Sequence, residues 1–150
     1  MYIYDLPIYN ITYSYHSFYS SLLFIPLSFI ISDFTTLPKW YSYIIFLVGC
    51  VSSIHHLRSY GQENSCCYDM VRYLDVFLAN ILGGCMIYFY NNSKYFLHIS
   101  FFLSSLFLLV FFYFVNNRIK TQLHALFHIL VVITIFKESL YPRNIPITYK

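Results

Sequence analysis

Five apolar runs, each set off by short polar punctuation, restrict this chain more than any other feature: about Phe18 to Ser32, Tyr41 to Leu57, Leu74 to Tyr90, Tyr95 to Val115 and Gln122 to Phe136. A helix needs about 20 largely apolar residues to cross the hydrocarbon core of a bilayer, and the runs approach or reach that length. The breaks between them are polar and short: Asp33 with Pro38-Lys39-Trp40, the stretch from Ser59 to Arg72, Asn91-Asn92-Ser93-Lys94, and Asn116-Asn117-Arg118. Only 10% of the 150 residues are charged and 59% are hydrophobic, too few polar groups to cover a soluble domain of this size. The pattern predicts an all-α fold, a polytopic transmembrane helical bundle of about five spans, with four to seven admissible on length grounds. No repeat or linker divides the chain, so residues 1–150 are expected to form one domain, integral to a membrane and multi-pass.

Several function classes fall away on composition. Nine Lys and Arg stand against six Asp and Glu, scattered singly, and no basic stripe is available to track phosphates; nucleic acid is not an expected partner. Four cysteines make no disulfide scaffold and no CxxC metal spacing, with Cys50 and Cys85 inside apolar runs and Cys66-Cys67 expected in a loop. The N-terminus lacks a basic region and a small-residue cleavage signature, which reads as no removable signal peptide. Basic residues divide about evenly between the two faces, so orientation is unspecified.

An ionisable group inside a span costs about 2.5–3.5 kcal/mol on insertion scales and asks for a partner or a use. Here such groups gather. His56 ends the second run and Asp75 begins the third; runs three and four go out and back, which returns the chain to the same face where His124 opens the fifth. Residues four apart lie about 40° apart around a helix, so His124 and His128 share a stripe, and Ser52 shares one with His56. Three imidazoles from two helices suit Zn²⁺ and leave a fourth position open, the arrangement of catalytic zinc, with Asp75 and Ser52 binding water or supporting the ligands. His55 replaces His56 if the helical register slips by one. His16 and His98 read as structural, and Asp33 and Glu138 as interfacial groups facing water. Taken singly, each has an ordinary reading: an interfacial histidine, an aspartate at a helix N-terminus, a serine bonded within its own helix.

Ser52-x3-His56, Asp75 and His124-x3-His128, in that order on three spans, resemble the signature of the CREST superfamily, which includes alkaline ceramidases, adiponectin and progestin receptors and the myomaker group. The stretch from Ser65 to Leu78 is similar to the segment around the aspartate in the myomaker-like branch. The resemblance runs from about Gly49 to Val132 and is confined to motifs. The family core has seven spans, three of them between the aspartate and HxxxH helices where this chain has one; losing two helices preserves the parity that keeps the ligands together.

What the resemblance implies is a zinc-dependent intramembrane hydrolase of a lipid amide. His56, His124 and His128 would be metal ligands, Asp75 would orient or deprotonate water, Ser52 would donate to the developing oxyanion, and a membrane lipid would be the partner. Two other readings stay open: a non-catalytic membrane protein pinned by a structural zinc cluster, in membrane remodelling or receptor-like binding, and a viral or organellar membrane protein without metal.

Overall fold

The computed structural model describes the backbone of residues 7–58, 66–112 and 117–140, and the side chains of 15–57, 70–104 and 122–140. Among these residues there is no strand. The helices are α1 (Pro7–Leu22), α2 (Phe24–Phe34), α3 (Lys39–Arg58), α4 (Cys66–Tyr90), α5 (Lys94–Phe112) and α6 (Asn117–Ser139). Among the described residues, four stretches are long and apolar enough to cross a membrane: Tyr15–Phe34, Lys39–Leu57, Met70–Tyr90 and Gln122–Ser139. The fourth run expected from the sequence is helical as α5, while its expected end at Val115 and the tail beyond Leu140 lie outside the described residues.

The first span is one apolar run broken in two, and the cause is local. Pro26 has no N–H to offer the carbonyl of Leu22 and its ring crowds that carbonyl. The helix tightens there: the Leu23 amide reaches back three residues to the Ser20 carbonyl at 3.3 Å, and the next bond, from the Leu27 amide to the Leu23 carbonyl, is stretched to 3.4 Å. α2 resumes after Leu23 and packs on α3, and α1 contacts both α3 and α6. On the other side of α3 lies α4, and α5 leans on α6.

Around an apolar core of Phe24, Leu27, Ile31, Ile45 and Ile135, polar and apolar groups divide in a way unusual for a soluble protein. Large apolar side chains such as Phe29, Tyr43, Phe77, Phe101 and Ile133 are exposed, whereas Ser17, Ser21, Ser52, Ser53 and Thr134 are buried. Lipid offers no hydrophobic penalty for the first group, and small hydroxyl residues let helix backbones approach. These hydroxyls return their hydrogens to their own helices, Ser53 to the Gly49 carbonyl at 2.6 Å and Thr134 to that of Leu130 at 2.7 Å. α3 comes close to α2 at Gly49, where a Cβ would stand 3.0 Å from the Phe24 Cβ and 3.2 Å from the Ile25 backbone nitrogen.

Three expectations are corrected. α4 begins at Cys66, so Cys66 and Cys67 open a helix rather than occupy a loop. Asp75 consequently sits in the third turn of α4 instead of at its start, beyond the reach of the unpaired N-terminal amides. Glu138, expected to face water, is buried and accepts a hydrogen bond from Ser93 at 2.7 Å. The reason is the inward stripe of α6, which runs through the buried His128, Val131 and Ile135 at alternating steps of three and four and arrives at Glu138.

Candidate metal centre

α3 carries His56 in its last turn, and α6 carries His124 and His128 one turn apart. The antiparallel run of the two helices brings these ends to the same level. Ring centroids are 5.0 Å apart for His56 and His124, 5.5 Å for His56 and His128, and 4.5 Å for His124 and His128. One nitrogen from each ring lies within 4.8 Å of the others, a group that could hold a metal ion. Zinc–nitrogen bonds of about 2.0–2.1 Å place tetrahedral ligands about 3.3 Å apart, closer than the 4.8 Å within which these nitrogens gather. The donor set is all imidazole, and three ligands leave one position of a tetrahedron open. His128 is buried and His124 exposed, so the group is seated in the bundle at one side and open at the other.

The group includes His56 and not His55, whose ring lies 5.0 Å from that of His56. His55 stands within electrostatic reach of Arg72 on α4. His16 and His98 are exposed and apart from the group. Asp75 is half-buried on α4 and hydrogen-bonded to Ser52, which lies one turn from His56 on α3 and is itself fully buried. The two side chains proposed to handle water are thus paired with each other across the α3–α4 contact, next to the trio along α3.

α1 adds contacts that the sequence did not reveal. Ser20 Oγ lies 3.0 Å from His128 Nδ1 and donates to the Ser17 carbonyl at 2.9 Å. His128 is also hydrogen-bonded to the Ser17 backbone, and the Phe24 ring meets its imidazole edge-on with centroids 5.8 Å apart. A signal for this was present, since Ser17, Ser20 and Ser21 share one face of an otherwise aromatic segment. Their meeting with α6 depends on tertiary packing that spacing alone cannot supply. The centre stands on these residues alone: no protein-family model matches the chain, and no curated protein or solved structure matches it.

Proposed function

We propose that this chain is an integral multi-pass membrane hydrolase of the CREST type, zinc-dependent and acting on a lipid amide. The observation that carries the reading is the convergence of three imidazole nitrogens within 4.8 Å from helices remote in sequence. His56, His124 and His128 would hold the metal, and zinc bound there would supply Lewis acidity to polarise a carbonyl and acidify water. Amide hydrolysis forms a C–O bond from water, breaks the C–N bond and delivers a proton to the leaving nitrogen. The Asp75 carboxylate takes the proton from water and returns it to that nitrogen. Ser52, hydrogen-bonded to Asp75, orients it, a positioning role that precedes the oxyanion contact expected from the motif. The apolar outer surface suits a substrate that arrives within the membrane, and the exposed side of His124 is where it would enter.

A second reading has an observation of its own. Among the described residues α3 and α6 each pack along α1 rather than along each other, so a metal held by the three histidines would be their principal direct link. A structural zinc pin in a non-catalytic membrane protein follows from that. Metal content per purified chain tests both readings: about one zinc is expected, and none in the His124→Ala plus His128→Ala variant. Absence of zinc from the wild type removes both. Lipid profiles of cells expressing wild type or Asp75→Ala then separate them. The hydrolase produces a free fatty acid and an amine that the variant does not; identical profiles with zinc retained leave only the structural pin.

A further inference from the structure

Ser20 is buried on α1, outside every motif that points to the metal centre, yet it touches one of the three imidazoles. A serine hydroxyl has a single hydrogen. That of Ser20 is directed to the Ser17 carbonyl at 2.9 Å, a group able only to accept. With the hydroxyl hydrogen assigned to that carbonyl, the 3.0 Å contact between Ser20 Oγ and His128 Nδ1 runs the other way, with the ring donating. Ser17, Ser20 and His128 are all buried, at 2%, 5% and 8% exposure, which keeps water from competing for these positions.

We infer that the Ser17–Ser20 turn of α1 sets the tautomer of His128, holding the hydrogen on Nδ1 and leaving Nε2 with the free lone pair that a metal requires. A neutral histidine in water prefers the opposite tautomer, with the hydrogen on Nε2, so the turn reverses the default before any metal arrives. Outer partners of this kind fix ring orientation and ligand basicity, and losing one lowers metal affinity about 10–100-fold. Ser20 is a positioning residue in this scheme, acting through His128. Its importance for metal binding rests on the zinc reading above; the tautomer itself does not.

The experiment is nitrogen NMR of the full chain, labelled at histidine, in lipid nanodiscs, first stripped of metal and then titrated with zinc against a chelator of known affinity. In the metal-free wild type the His128 signals are expected to report hydrogen on Nδ1. Ser20→Ala should shift them toward the Nε2–H form and weaken zinc about 10–100-fold, and Ser20→Thr, which keeps the hydroxyl, should restore both. A metal-free wild type with the hydrogen on Nε2 overturns the inference without need of a variant, as does a folded Ser20→Ala protein with unchanged His128 signals. If the wild type binds no zinc while its tautomer is as stated, the zinc reading fails and the tautomer assignment stands.

Discussion

Where α3 finishes and α6 begins, three side chains of the same kind crowd together. Where α4 turns into α5, unlike groups meet instead: Glu138 accepts from Ser93 at 2.7 Å, and the Lys137 ammonium sits 3.3 Å from the centre of the Tyr95 ring. Aromatic rings fill the same far end, with Tyr41 and Tyr90 centroids 6.3 Å apart and those of Tyr90 and Phe96 5.8 Å apart. Three imidazoles gain little from one another, whereas an acceptor with a donor and a cation with a π-face are complete pairs. The first end could hold a metal ion, whereas the second closes the bundle with its own residues.

The largest difference between the ends should appear when metal is removed. A ligand that binds only the folded state at 1,000 times its dissociation constant adds about 4 kcal/mol, so stripping zinc with a chelator is expected to lower stability by that order. Amide exchange should quicken in the last turn of α3 and the first half of α6 and stay unchanged across Asn91 to Lys94. Equal loosening at both ends would abolish the distinction. Gly49, midway along α3, should act on both: Gly49→Val forces a side chain into the backbone of α2 and is expected to cost about 1–3 kcal/mol, read as a fall in thermal midpoint together with weaker zinc binding.

Glu138→Ala should behave differently, removing the acceptor of the Ser93 hydroxyl at a cost of about 1–2 kcal/mol while zinc affinity stays at the wild-type value. Glu138→Gln, which keeps an acceptor, should recover part of the loss. A zinc defect in Glu138→Ala would mean that the two ends are coupled through α6.

The helical bundle was legible because hydrophobic runs of span length, Phe18 to Ser32 onward, leave the backbone no other way to satisfy itself in lipid. The histidine group was legible for a geometric reason: parity of crossings sets depth and a spacing of four sets the face, and both can be counted. Glu138 was misjudged because its neighbour Lys137 and its place at the end of a run suggested an interface, although the stripe from His128 through Val131 and Ile135 leads to it. Ser20 could not be found by counting, since nothing in α1 says which helix its serines meet. The early start of α4 was hidden by polar residues such as Arg72, which stands exposed on a helix already formed.

The smallest effect belongs to Lys137, and it has two separable sources. Its charge lies in the last turn of α6, where it opposes the negative end of the helix dipole, and it also lies over the Tyr95 ring of α5. Each source is worth about 0.5–1 kcal/mol in partly buried surroundings. Tyr95→Leu removes the ring and leaves the dipole interaction; Lys137→Gln removes both; the double variant isolates their coupling. A coupling of about 0.5–1 kcal/mol in thermal or chemical unfolding is expected if the cation–π contact ties α6 to α5. Coupling near zero, with Lys137→Gln still destabilising, would assign the whole effect to the dipole. The far end would then be closed by Ser93 and Glu138 and by its aromatic packing, without a contribution from charge.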